Sequence, residues 1–100
     1  MPVTEKIGKQ KLILRSKTLG DLPWEVEVNW VAVDSSNIKR VGWDVGGNTY
    51  VEFHHDGIYC YVGTSIQKAV ACAYAQSTGE YFARKIKGVY PYVKIKVGLK

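Results

Sequence analysis

Cysteine and long apolar runs are what this chain has least of, and their scarcity excludes whole classes of protein. Two cysteines, Cys60 and Cys72, are too few for the disulfide framework of a small secreted scaffold, and they fall on different expected elements, so both read as reduced thiols. No uninterrupted apolar run approaches the roughly 18 residues of a membrane-spanning helix. Lys6, Lys9 and Lys11 break up the opening segment, so no apolar leader is expected and a cytoplasmic protein without membrane contact follows. Nucleophile motifs, a phosphate-cradling glycine loop and a Cys-x-x-Cys pair are all missing. His54 and His55 are neighbours, so on a strand they point to opposite faces and cannot share one metal. A non-enzymatic protein without cofactor or metal is the expectation.

One hundred residues suffice for one hydrophobic core, so residues 1–100 are read as a single domain. Its net charge of +5 is unevenly spread. Residues 1–18 carry five Lys or Arg against one acid, residues 19–76 three against seven, and residues 77–100 six against one. If the fold brings the two basic ends together, they form a positive face suited to a polyanion; otherwise the lysines keep two outer segments soluble.

Along the chain, residues 1–10 show no apolar period and read as a loose tail. Leu12-Ile13-Leu14, flanked by Arg15 and Lys17, reads as a strand over residues 11–19, ended by a turn at Gly20-Asp21-Leu22-Pro23. Trp24, Val26, Val28 and Trp30 then alternate with Glu25, Glu27 and Asn29, the period of a half-buried strand. Short strands follow at residues 38–45 and 49–54, and Asp56-Gly57 sits between two β-rich runs as a two-residue hairpin turn. From Thr64 the period changes to that of a helix of about three turns, with Thr64-x-x-Gln67 as its capping box and Ile66, Ala69, Val70, Ala73 and Tyr74 as its apolar stripe. Ser77-x-x-Glu80 opens a second, shorter helix with Phe82 and Ile86 in the core and Gly88 as its stop. Residues 89–97 alternate around Pro91 and read as an edge strand or an extended arm. The expected fold is α+β: a mainly antiparallel sheet of about five strands, with two C-terminal helices packed on one face.

If Asp56 and Gly57 are the turn, His54 faces Tyr59, Phe53 faces Cys60, Glu52 faces Tyr61 and Val51 faces Val62. Val51, Phe53, Cys60 and Val62 would then meet the helices. Glu52, His54, Tyr59 and Tyr61 would form a second, aromatic face, on which tyrosine rings can stack a nucleobase. The alternative is that these tyrosines stabilise the sheet or pack beneath the N-terminal hairpin. A second cluster, Tyr81-Phe82 followed by Arg84-Lys85-x-Lys87-Gly88-x-Tyr90-Pro91-Tyr92, interleaves basic side chains with tyrosines, residue types that grip a sugar-phosphate backbone while stacking a base, and Arg84, Lys85, Lys87 and Tyr90 are its candidates. Ordinary capping of a helix end by cations is the competing explanation.

Three linked patterns span residues 33–93. They are Ser35-Ser36-x-Ile38 leading to Val41-Gly42-Trp43-Asp44; Gly57-x-Tyr59-x-Tyr61; and Ser77-x-Gly79-x-Tyr81-Phe82 leading to Ile86-Lys87-Gly88-x-Tyr90. Together they resemble the KTSC family, a small domain found alone in bacterial and phage-type proteins and at the C-terminus of some lysyl-tRNA synthetases, with a central Tyr-x-Tyr as signature. Residues 11–32 lie outside the resemblance as an N-terminal β-hairpin extension. The resemblance implies RNA as one ligand.

The leading expectation is therefore binding of a nucleotide-containing anion by Tyr59, Tyr61, His54, Arg84, Lys85, Lys87 and Tyr90. The ligand is either RNA or a small nucleotide, such as a cyclic oligonucleotide signal, sequestered in a homo-oligomer. Either version expects Tyr61→Ala together with Lys85→Ala to weaken binding without unfolding. The alternative is a protein-interaction or scaffold domain, for which Trp24, Trp30 and Trp43 would be anchors if exposed.

Overall fold

The computed structural model describes residues 3–15 and 24–97. In chain order these form β1 (Val3–Arg15), β2 (Trp24–Val33), β3 (Ile38–Trp43), β4 (Thr49–Phe53), β5 (Gly57–Tyr61), α1 (Ile66–Ala73), α2 (Thr78–Lys85) and β6 (Tyr92–Val97). The class is α+β, with an antiparallel sheet and two helices on one side of it. The sheet has six strands rather than about five and closes into a barrel in sequence order, β6 returning to pair with β1. Among the described residues no helix is long and apolar enough to cross a membrane.

Closure explains the packing, because it gives the strands two buried faces instead of one. Val28, Trp30, Tyr50, Cys60, Val93 and Ile95 fill the barrel interior. Val31, Val41 and Val51, on the opposite face, pack outside the barrel against Cys72, Ala73, Phe82 and Ile86 of the helical segment. The alternation in β2 thus holds for its first half, with Glu25 and Glu27 exposed opposite buried Val28 and Trp30. From Trp30 to Val33 the strand is covered on both sides. Trp24, the first residue of that alternation, has a side chain outside the described residues, as does the expected turn at residues 20–23.

Several expected elements change. Residues 3–10, read as a loose tail, belong to β1 and pair with β2 from Val3↔Val33 onward. A ladder is built of backbone hydrogen bonds, which require no apolar period. The last strand is no edge: β6 pairs with β5 on one side and β1 on the other. Pro91 is compatible with this because it precedes the first residue of β6 and removes no ladder donor. Arg15 pairs with Lys96, so the two basic ends lie on adjacent strands.

The helices follow their capping chemistry with one shift. Ser65, not Thr64, caps α1, its side chain accepting from the Lys68 N–H. Thr64 is instead buried, its hydroxyl bonded to that of Thr49. The covered face of α1 is Ala69, Cys72 and Ala73, whereas Ile66 and Tyr74, expected in the stripe, are exposed. For α2, Ser77 accepts from the Glu80 N–H, Phe82 and Ile86 are buried, and Gly88 has φ +80° at the stop.

Candidate functional site

The β4–β5 turn decides which way the signature tyrosines face. Phe53 pairs with Gly57, so the turn is His54-His55-Asp56 and Gly57, at φ +82°, opens β5. Val51 therefore faces Tyr59 and Thr49 faces Tyr61, while Tyr50 faces Cys60 and Glu52 faces Ile58. Against the expected register of Phe53 opposite Cys60, the slip is an odd number of residues and exchanges the faces. Cys60 and Ile58, small enough to lie beside Trp30 and Tyr50, point into the barrel. Tyr59 and Tyr61 stand on the outer face, beside the helices.

There they line a cleft of about 450 Å³ between the hairpin, α2 and β6. Its aromatic wall is continuous. Tyr92 lies 5.5 Å from Tyr59 and 5.4 Å from Tyr61 between ring centres, and Phe82 lies 5.3 Å from Tyr61 and 5.6 Å from Phe53. Tyr61 is only 5% exposed, whereas Tyr92 is 59% exposed. Lys87, His55, Asp56 and Asn37 supply the polar part of the lining.

Asp56 organises the rim. Its carboxylate accepts from Lys94 Nζ at 3.1 Å and from the Tyr59 hydroxyl at 2.9 Å. The bond from Lys94, then that from Tyr59, hold the Asp56 carboxyl below its ordinary pKa, and the same carboxylate raises the pKa of both partners. Lys94 Nζ also sits 5.8 Å from the Tyr59 ring centre.

Of the residues expected to bind, the cleft brings together Tyr59, Tyr61 and Lys87. The others lie elsewhere. His54 is exposed and bonds through Nε2 to the Ser35 carbonyl at 3.0 Å, pinning the turn to the β2–β3 loop, and it is His55 that reaches the cleft. Arg84 is exposed and donates to Glu80 at 3.2 Å, Lys85 is exposed outside the lining, and Tyr90 packs against the helix-side core. Tyr61→Ala with Lys85→Ala is consequently a poor surface test, since one residue is core and the other is off the cleft. Sequence reasoning placed Tyr92 in the second aromatic and basic cluster but selected Tyr90 in its stead. The signal that selects Tyr92 is its pairing with Tyr61 across β5 and β6, which spans the whole helical segment.

The remaining polar groups are structural. The Tyr50 hydroxyl donates to Asp44 Oδ2 at 2.8 Å inside the fold, and Asp44 also accepts from the Asn48 backbone N–H at 3.1 Å. Trp30 is fully buried and Trp43 packs against the helix-side core. Among the described residues no group of three or more His, Cys, Asp or Glu is placed to hold a metal.

Cys60 and Cys72 are free and lie in different clusters, one inside the barrel and one on α1. Burial pushes their thiols up to about 11 and about 12, and burial, with Tyr92 and Tyr59, pushes Tyr61 up to about 12. For acids whose folded pKa exceeds the unfolded one, stability is fully present below the unfolded value and lost as pH rises through the folded one. The urea midpoint is therefore expected to hold from pH 7 to about 8.5, the ordinary thiol pKa, and to fall steadily toward pH 11. A flat midpoint across that interval would show that these groups are solvated in the native state.

With this geometry in hand, comparison with known families identifies its central part. The model of the KTSC domain matches residues 34–90. The chain belongs to the KTSC family. No curated protein matches it, and no solved structure does. The KTSC segment runs from the end of β2 to the residue before Pro91, so it contains the hairpin, both helices, Tyr59, Tyr61 and Lys87. Tyr92 and Lys94 lie beyond the matched KTSC residues, on the strand that completes the barrel.

Proposed function

We propose that this KTSC protein is a non-enzymatic binding module for a nucleotide-containing anion, held in the cleft between the β4–β5 hairpin and α2. The observation that carries this reading is the convergence of Tyr59, Tyr61 and Tyr92 with Lys87 around one concavity. Small-molecule sites are typically concave, about 300–1,000 Å³, mostly apolar, and fixed by a few polar groups. Stacking a base on an aromatic ring contributes about 1–3 kcal/mol, and Tyr92 presents its ring to solvent. Lys87 supplies the charge for a phosphate. Two unpaired thiols suit a reducing compartment, the cytoplasm.

A second reading, a protein-interaction domain without a nucleotide, is favoured by one observation. Val45 is 93% exposed and stands beside Ile66 and Val70 of α1 in a shallow apolar patch. Native mass spectrometry of freshly purified protein at low ionic strength, with bound material released by denaturation, separates the two. A nucleotide or RNA released in fixed proportion from wild type and missing from a folded Tyr92→Ala variant is the expected result. Bare protein that assembles with concentration, unchanged by Tyr92→Ala and abolished by Val45→Asp, would replace the nucleotide reading with the interaction reading.

A further inference from the structure

Tyr61 has a buried ring and a hydroxyl without a protein partner among the described residues. Its ring is 5% exposed, yet no protein group hydrogen-bonds its hydroxyl among the described residues, the causes of its raised pKa being burial and its tyrosine neighbours alone. A buried phenol ordinarily finds a partner. Two other tyrosines of the sheet have theirs: Tyr50 donates to Asp44 and Tyr59 to Asp56. Nor is the Tyr61 hydroxyl sealed in, because the enclosed side-chain polar atom without a partner among the described residues is Trp30 Nε1. The Tyr61 hydroxyl therefore opens onto the cleft it lines. With its pKa pushed up to about 12, it stays protonated at neutral pH and is able to donate into the cleft.

The charges around the same cleft limit how much anion it holds. Lys87 and Asp56 are the formal charges in its lining. Lys94 is committed to Asp56 and Arg84 to Glu80, and Lys85 is outside the lining. Among the described residues that line the cleft one ammonium is thus uncommitted, where a polynucleotide needs a track of cations along successive phosphates. A volume of about 450 Å³ likewise lies in the lower part of the range for small-molecule sites, about 300–1,000 Å³.

We infer that the cleft takes a single nucleoside monophosphate unit, its base stacked on Tyr92 with a carbonyl or ring-nitrogen acceptor on the Tyr61 hydroxyl, and its phosphate on Lys87. This rests on the reading of the cleft as a nucleotide site. It assigns separate tasks to three residues: Tyr92 gives stacking, Tyr61 anchors the edge of the stacked base by a hydrogen bond, and Lys87 discriminates nucleotide from nucleoside.

Calorimetric titration tests it with AMP, GMP, CMP and UMP, the matching nucleosides, and ten-residue oligoadenylate and oligouridylate. Wild type, Tyr61→Phe and Lys87→Gln are each titrated at 50 and 300 mM KCl. At least one monophosphate is expected to bind one-to-one, more tightly than its nucleoside. Tyr61→Phe, which keeps the ring in its packing, is expected to weaken that binding about three- to tenfold, and Lys87→Gln to erase the preference over the nucleoside. The salt step should cost the monophosphate only about three- to fivefold, as for one phosphate contact. Oligonucleotides that bind with a steep salt dependence while no monophosphate binds would overturn the single-unit inference and leave the nucleotide reading standing. Wild-type affinity in both variants would remove the assigned roles. Absence of binding by every probe would overturn the inference together with the reading beneath it.

Discussion

Gly42→Ala is expected to destabilise the protein by an amount at the top of the range for overpacked cores, about 3 kcal/mol, seen as a fall in Tm of about 10–20 °C. Gly42 lies opposite Trp30 in the β2–β3 ladder. A Cβ there would stand 2.5 Å from Val28 Cγ1, 2.9 Å from the Asn29 carbonyl oxygen and 2.9 Å from Trp30 Cε3. None of these can step aside cheaply. The carbonyl belongs to the ladder, Val28 is buried, and Trp30 is fully buried with the Arg40 guanidinium 3.9 Å from its ring centre. Arg40 is itself tied to Glu52. Differential scanning calorimetry of the two proteins reads the effect, and an unchanged Tm would mean that β3 can slide outward without loss of packing.

Asp44→Ala is expected to be comparably severe, about 3–4 kcal/mol from the lost bonds to a charged acceptor and the stranded donor they leave. The Asp44 carboxylate, 6% exposed, accepts from the Tyr50 hydroxyl, the Asn48 N–H and the Asn48 side-chain amide. Without it, the Tyr50 hydroxyl is left without its partner in the barrel and the β3–β4 loop loses its tether. The cause can be isolated, because replacing both partners of a buried hydrogen bond is far less damaging than removing one. Urea unfolding of Asp44→Ala/Tyr50→Phe is therefore expected to recover part of the loss. Equal instability of the single and double variants would assign the effect to the loop instead.

These two residues also explain part of the family pattern in physical terms. In Val41-Gly42-Trp43-Asp44, Val41 faces the helices, Gly42 makes room for Trp30, Trp43 covers the helix-side core and Asp44 satisfies Tyr50. Every position has a packing or hydrogen-bonding task, and none lines the cleft.

What the sequence made legible was local. Alternation located the first half of β2, and Ser77 with Glu80 and Gly88 located the limits of α2, because strand period and capping chemistry depend on neighbours only. The hairpin register was less legible, since Ile58-Tyr59-Cys60-Tyr61 is apolar on both faces and both faces are buried to some degree. A period-two argument separates core from solvent but cannot separate two cores. Pro91 suggested an edge, yet it stands outside the ladder. Tyr59, Tyr61 and Lys87 of the candidate site could be named from residue type. Tyr92 was visible in the same basic and aromatic cluster, but its preference over Tyr90 was not, because its place beside Tyr61 follows from the long-range pairing of β6 with β5.

Barrel closure has a final consequence, for behaviour at high concentration. An open sheet carrying strands such as Trp30-Val31-Ala32-Val33 would offer unpaired N–H and C=O groups to other chains, a template for aggregation. Pairing β6 with β1 removes that template, but among the described residues the seam consists of Leu14↔Val97 and Arg15↔Lys96, against ten pairs between β1 and β2. The protection against aggregation therefore rests on the shortest ladder among the described residues. Opening that seam turns a closed barrel into a sheet with two sticky edges while leaving most of its hydrogen bonds intact.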